Sequence, residues 1–327
     1  MRTITLEEHF ATPEFFNGPA RFVKERAEKI GDRYLQVLDR LCDLDAKRLS
    51  EMDAAGIDMQ VLSLSAPGVE QMEPADAIAM ARDTNDYLAD AVRRHPTRFA
   101  GLAAVPTGSP KQAVEELQRR VQQGFKGAVI NGHNHGRYLD NQFFWPILEC
   151  AEQLNVPIYL HPTPAPQAVI DVSYGGFSPM VTDMLAGGAW GWHIETAVHM
   201  IRIVCGGVFD RFPKLQFVIG HMGEGLPFSM WRVDNCNAWV ANRHNYPAKR
   251  KIGEYFQDNF WITTSGNFRT QALVNTMLEV GSDRIMFSTD WPFENIDHAA
   301  IWFDAASISE ADREKIGRTN ARRLFKL

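Results

Sequence analysis

Glu7 and His9 stand two residues apart at the end of a short β-type run, Thr3-Ile4-Thr5-Leu6-Glu7-Glu8-His9-Phe10. Residues i and i+2 of a strand face the same side, so a carboxylate and an imidazole at this spacing can approach one ion together. That donor pair suits Zn²⁺ or Mn²⁺. One Glu-x-His string carries little weight, but three later runs end in the same manner. They are Ile158-Tyr159-Leu160-His161, Phe217-Val218-Ile219-Gly220-His221 and Ile285-Met286-Phe287-Ser288-Thr289-Asp290. Four apolar runs that each end in a ligand-type residue describe one site.

The elements that must position these residues are legible as a repeating pattern. Candidate strands fall at 3–10, 59–66, 99–105, 126–131, 157–161, 215–221, 259–265 and 284–290, most of them followed by a helical stretch. Ala75 to His95 reads as a helix between Pro74 and Pro96. Ser109-Pro110-Lys111-Gln112 reads as an N-cap, an N1 proline and a capping-box glutamine, and Ser309 with Asp312 opens the last helix similarly. Eight strands alternating with helices predict an α/β fold, a parallel (β/α)₈ TIM barrel formed by one domain over 1–327. An open doubly wound sheet is the runner-up, weakened by the lack of a GxGxxG turn after the first strand.

Barrel enzymes carry their chemistry at the C-terminal ends of the strands. Glu7/His9, Asn131, His161, His221 and Asp290 take those positions on strands one, four, five, six and eight. Two connections are long, 11–45 after strand one and 163–193 after strand five. Both are rich in aromatic residues, Phe15, Phe16 and Phe22 in the first and Phe177, Trp190 and Trp192 in the second, as lids or subunit contacts are.

Composition narrows the function classes. With 45% apolar and 23% charged residues in 327, a large buried core is feasible. The net charge of −6, spread without blocks, argues against nucleic acid or an anionic membrane as partner. No apolar run is long enough to span a bilayer and the chain enters a strand directly, so no membrane segment or signal peptide is expected. Cys42, Cys150, Cys205 and Cys236 are far apart, which reads as reduced thiols in a cytoplasmic protein.

At the level of motifs the chain resembles the metal-dependent, non-oxidative aromatic decarboxylases of the amidohydrolase superfamily. These include the γ-resorcylate, 2,3-dihydroxybenzoate and 5-carboxyvanillate decarboxylases, which are related to aminocarboxymuconate semialdehyde decarboxylase. The matching segments are Leu6-Glu7-Glu8-His9-Phe10, Tyr159-Leu160-His161-Pro162, Gly220-His221-Met222-Gly223-Glu224, Thr264-Ser265-Gly266-Asn267-Phe268 and Ser288-Thr289-Asp290-Trp291-Pro292-Phe293-Glu294. The close, Lys315 to Phe325, matches too, and the last third is nearest the γ-resorcylate type. The resemblance implies one divalent ion, Mn²⁺ or Zn²⁺, on Glu7, His9, His161 and Asp290, with His221 and Glu224 beside the substrate. It also implies proton delivery by Asp290, helped by His221, and a homodimer or homotetramer. Hydrolases of the superfamily often bridge two metals with a modified lysine at the end of strand four. Here that end reads Val129-Ile130-Asn131-Gly132 and Lys126 lies at the other end of the strand, so a mononuclear site is expected. The chain departs from the dihydroxybenzoate type after His161-Pro162, where Thr163-Pro164-Ala165-Pro166 follows, and in the Gly-rich stretch Met184 to Ala189. Reaction type is therefore better fixed than ring substituents.

The implied reaction is decarboxylation of an ortho-hydroxylated aromatic acid, and Phe10 with the aromatics of both long connections favours a flat ring. A metal-dependent hydrolase or hydratase acting on a lactone or unsaturated acid is the alternative. A scaffold barrel without catalysis fits poorly with His221 and Asp290 both present. Plainer readings stand beside these. His221-Met-Gly-Glu could simply start a helix, and Asn131 could hydrogen-bond loop backbone. Arg232 lies about 16 Å along a Gly225–Ala241 helix from His221, so it could serve only a neighbouring subunit. His133, His135, His193, His199, His244 and His298 read mostly as structural or solvent-facing, with His193 and His199, near the second long connection, the first candidates among them for a role at the site.

Overall fold

Each of the eight apolar runs becomes a parallel strand in the computed structural model, which describes residues 2–239 and 246–327. The strands are β1 (Thr3–Phe10), β2 (Ile57–Leu64), β3 (Phe99–Ala104), β4 (Gly127–Asn131), β5 (Ile158–His161), β6 (Phe217–Ile219), β7 (Phe260–Thr263) and β8 (Ile285–Met286). They follow one another in sheet order from β1 to β8. His9 N donates to the Trp291 carbonyl at 2.8 Å and joins the two ends of the ring. This is the expected (β/α)₈ barrel. β6 and β8 are shorter than expected because irregular backbone carrying His221 and Asp290 takes over their ends. His244 lies outside the described residues.

The helices follow the sequence signals, though the caps differ. Pro74–Arg94 and Pro110–Gln122 form where the prolines place them. Ser109 occupies the N-cap position but makes no side-chain cap bond, so the expected capping box is absent there. Ser309 does cap its helix, accepting from Asp312 N at 3.1 Å. Every residue of β1 is buried, and the barrel interior merges with the strand–helix layer into one apolar core.

Both long connections are helical. The first carries Pro13–Asn17, Arg21–Ile30 and Asp32–Cys42 and runs on beyond the expected residue 45, through Ala46–Ala54, to β2; the second carries Gln167–Ser173 and Pro179–Ala186 before the helix Gly191–Cys205. Among the described residues no helix is long and apolar enough to cross a membrane, and all four cysteines are free.

Candidate active site

Glu7 and His9 converge, but not as members of a regular strand. In the β1–β2 ladder Leu6 pairs with Val61 and Glu8 with Leu62, so Glu7 is an extra, bulged residue with φ +65°. His221, Met222, Glu224 and Asp290 also have positive φ, a backbone region that non-glycine residues rarely adopt. This strain is concentrated where the side chains meet.

The two oxygens of Glu7 have opposite surroundings. Oε2 accepts hydrogen bonds from the hydroxyls of Tyr159, Thr263 (2.9 Å) and Ser265. Oε1 is buried with no hydrogen-bond partner and faces His161 Nε2 at 3.6 Å and His221 Nε2 at 3.8 Å. Gly220 makes this possible, since a Cβ there would lie 2.7 Å from both carboxylate oxygens. Burial, partly offset by His221, raises the Glu7 pKa.

His161 is fixed by its neighbour. Its Nδ1 lies 2.8 Å from the Pro162 carbonyl, which can only accept, so the proton sits on Nδ1 and Nε2 offers a lone pair. Burial lowers its pKa to about 3, which keeps the ring neutral. His9 packs edge-on to His161 at 4.7 Å, and its Nε2 lies 3.2 Å from Asp290 Oδ1. Burial would raise Asp290, but hydrogen bonds and charge from His221 and His9 prevail and hold it well below the usual carboxylate range.

His221 and Glu224 form a tight pair, Nδ1 to Oε1 at 2.9 Å. The stretch does not start a regular helix, because Met222 and Gly223 are left-handed; the next helix runs Leu226–Asn237. Burial would lower His221, but the carboxylates of Glu224 and Glu7 outweigh it and raise its pKa well above normal. Glu224 moves the other way, to about 2, because the imidazoles of His221 and His193 overcome the cost of burial.

Glu8, invisible as a functional residue in the sequence, clamps the Asp290 loop. Its carboxylate accepts from Thr289 N (2.8 Å), the Thr289 hydroxyl (2.7 Å), Gln60 Nε2 (3.2 Å) and Trp291 N (3.3 Å). Both peptide neighbours of Asp290 are thereby held. Buried Arg48, from the first long connection, donates to the His9 carbonyl (2.5 Å) and lies 3.7 Å over the Trp291 ring.

Of the expected residues, Glu7, His9, His161, His221, Glu224 and Asp290 come together. Asn131 sits beside His161 in register; its N–H donates to Glu70 at 3.0 Å, and its side-chain oxygen is buried without a partner. Phe10 is not in this group. It is 1% exposed and stacks on Tyr87, because the residue next to His9 points to the strand's other face, into the helix layer. The aromatic ring at the mouth is Phe293, 5.5 Å from His9 and 43% exposed. It belongs to the segment after β8 that already stood out as a motif, as Ser265 does to the one after β7. Arg232 is exposed on its helix. Lys126 donates to the Lys326 carbonyl at the other end of the barrel. His199 accepts from Leu139 N and is structural, whereas His193 reaches Glu224. A cavity of ≈ 540 Å³ lies between the two long connections, lined by Pro19, Gly68, His133, Thr163 and Gln167 among others and by none of the clustered residues.

Glu7, His9 and His161 present ligand atoms within 4.8 Å of one another. Ligands of one Zn²⁺ or Mn²⁺, each about 2.1 Å from the ion, stand about 3–4 Å apart, so the orphan Oε1 and the Nε2 lone pair fit such an ion. His193, His221 and Glu224 form a second close group, but their 2.5 and 2.9 Å separations are hydrogen bonds.

Comparison with known proteins agrees with this geometry. The chain is 50% identical to the γ-resorcylate decarboxylase of a Rhizobium species, over 99% of this chain and 98% of that one. A solved dihydroxybenzoic acid decarboxylase from Polaromonas, with bound manganese and the inhibitor 2-nitroresorcinol, superposes with a TM-score of 0.91 at 47% identity, covering 100% of this chain and 97% of that one. A 2,6-dihydroxybenzoate decarboxylase complexed with 2,6-dihydroxybenzoate gives 0.90 at 49%, covering all of both chains. The family model described as Amidohydrolase matches residues 9–327, and the chain belongs to that family, among the γ-resorcylate decarboxylases.

Proposed function

We propose that the protein is a carboxy-lyase that removes CO₂ without oxidation from an ortho-hydroxylated aromatic acid, using one divalent ion, Mn²⁺ or Zn²⁺. In this reading Glu7, His9, His161 and Asp290 of one domain over 1–327 hold the ion. The observation that carries it is the asymmetry of Glu7, one oxygen fully hydrogen-bonded and the other buried, unpartnered and facing two imidazoles. Two carboxylates and two neutral imidazoles neutralise a dication, and the bound ion would offer open positions to the substrate's carboxylate and ortho oxygen.

The chain's own residues supply the proton. Direct loss of CO₂ from an arene leaves an unstable sp² carbanion, so protonation of the carboxylate-bearing carbon comes first and CO₂ leaves from a non-aromatic ketone. Asp290 delivers that proton to the ring carbon. It rests as a carboxylate, and the protonated His221, whose Nε2 lies 3.7 Å from Asp290 Oδ2, is the nearest source. Glu224 holds His221 through Nδ1 and stabilises its charge. Asn131, whose side-chain oxygen is buried without a partner, and Phe293 beside His9 orient the ring. The relatives' names and ligands support the reaction class, and 2,6-dihydroxybenzoate is the first acid to try.

Incubation with a panel of hydroxybenzoates tests this. Ortho-hydroxy acids should release CO₂ and take up one deuteron at the vacated carbon in D₂O, while para-hydroxybenzoate, which cannot chelate the same ion, should not react. Comparable turnover of para-hydroxybenzoate would overturn the chelation mechanism. Lactone hydrolysis with no CO₂ release would replace the reaction altogether. Elemental analysis should give one ion per chain. The exposed apolar side chains of the second long connection support a homodimer or homotetramer, which light scattering can measure. The four free cysteines fit a reducing, cytoplasmic setting.

A further inference from the structure

Glu224 is fully buried, and each of its oxygens is held by a different imidazole. Oε1 meets His221 Nδ1 at 2.9 Å and Oε2 meets His193 Nδ1 at 2.5 Å. The other nitrogen of His193 lies 2.9 Å from the Gly188 carbonyl, an acceptor only, so His193 Nε2 carries a proton. A second proton must then lie between His193 Nδ1 and Glu224. The His193 and His221 rings meet edge-on at 4.8 Å, and the preceding residue, Trp192, meets His161 at 6.3 Å. The start of the helix Gly191–Cys205 thus touches both histidine walls of the site, and it is joined to the glycine turn that ends the second long connection.

We propose that His193 is a positioning residue. It fixes the carboxylate of Glu224, and through it the plane of His221, and so ties the acid–base pair to the segment after β5. Without His193 one oxygen of a buried carboxylate loses its imidazole partner, and Glu224 is free to rotate about χ3 and release His221. The inference rests on the decarboxylase reading for its kinetic test and on geometry alone for its second test.

The kinetic test compares His193→Ala, His193→Asn and the wild type in the metal-loaded enzyme. Ala should lower kcat by about 10–100-fold, with KM within about twofold and one ion per chain retained. Asn, whose amide takes the place of Nδ1 and can still donate to Glu224, should recover most of the loss, and added imidazole should partly rescue Ala through the partly exposed opening it leaves. The second test needs no turnover: histidine C2–H exchange, read by mass spectrometry, should quicken at His221 in the Ala variant and stay near wild type in the Asn variant. An unchanged kcat in the Ala variant would overturn the proposal. So would equal losses in Ala and Asn with a lowered Tm and unaltered His221 exchange, which describe a purely structural residue. Two ions per chain, lost on substitution of His193, would make the group a metal site instead. If the wild type releases no CO₂ from any ortho-hydroxy acid, the functional reading fails, and the exchange result alone decides the role of His193.

Discussion

The connections after β1 and after β5 both bring aromatic and aliphatic side chains to the mouth of the barrel, and they bury them differently. In the first, Phe15, Phe16, Leu41 and Met52 are all in the core, and Arg48 reaches the His9 carbonyl and the Trp291 ring. In the second, Val172, Phe177 and Met180 are 87%, 61% and 66% exposed, and contact with the site histidines passes through Trp192 and His193 at its end. One connection is part of the wall that sets donor positions; the other is a cover tied on by a few bonds. Composition does not distinguish them. What separates them is whether a buried charged group anchors the segment to strand ends.

Arg48→Met gives the largest expected effect and would break the comparison if it failed. Burial lowers the Arg48 pKa to about 9, against the attraction of Glu8 and other acids, and its loss leaves the His9 and Asp43 carbonyls without their guanidinium donor. Destabilisation should be ~3–5 kcal/mol, from two carbonyls left without a donor at ~1–3 kcal/mol each and the lost contact with the Trp291 ring. Calorimetry should show Tm falling by about 5 °C; a variant as stable as wild type would mean that the first connection is not a wall.

His221→Asn addresses the other side. Its cost should appear in turnover, about 10²-fold in kcat, with metal content and Tm nearly unchanged, because the asparagine amide can still donate to Glu224. A variant that loses stability but keeps its rate per folded molecule would return His221 to a structural role.

Glu70, beneath Asn131 and close to the cavity between the two connections, gives a pH-dependent and smaller effect. Burial raises its pKa from 4.5 to about 7. The folded state therefore favours the protonated carboxyl; this stabilisation is complete below the unfolded value and is lost as pH rises through 7. Glu70→Gln removes the titration and keeps the acceptor for Asn131 N. Its Tm relative to wild type should be higher at about pH 9 than at about pH 5, by a few degrees. A pH-independent difference would show that Glu70 does not titrate there.

The smallest effect is expected for Phe177→Ser with Met180→Ser. Exposed positions of this kind change stability by about 0.5 kcal/mol or less, so Tm should stay within about 2 °C. A large loss would show that the cover is packed after all.

Strand positions and the polar residues that converge at their ends were legible in the sequence because a buried parallel strand must be a short apolar run, and polar residues at its end mark where burial stops. The bulge was not legible. Nothing in Leu6-Glu7-Glu8-His9 announces φ +65° at Glu7, so Glu8 read as a bystander although its carboxylate holds the Asp290 loop from both sides. Phe10 misled because proximity in sequence to His9 is opposition in space along a strand. His193 was hidden for a different reason: its partner Glu224 is 31 residues away, joined by a loop whose path no local pattern fixes. Ser109 and Ser309 carry nearly the same signal, yet only the second caps. Tertiary placement decides which local signal is used.

The closure between β1 and the segment after β8 has a consequence for biosynthesis. Glu8 and Thr289 are 281 residues apart, and most of the donors to the Glu8 carboxylate come from Thr289 and Trp291, after β8. A nascent chain emerging from the ribosome can lay down β1 through β5, with Glu7, His9 and His161 already translated, while the carboxylate of Glu8 still needs water. The last strand to be made is the one that lets the first be buried. Ion capture, if it needs the finished donor set, must then wait for the end of translation, and chains truncated before Thr289 should be substrates for quality control rather than weak enzymes.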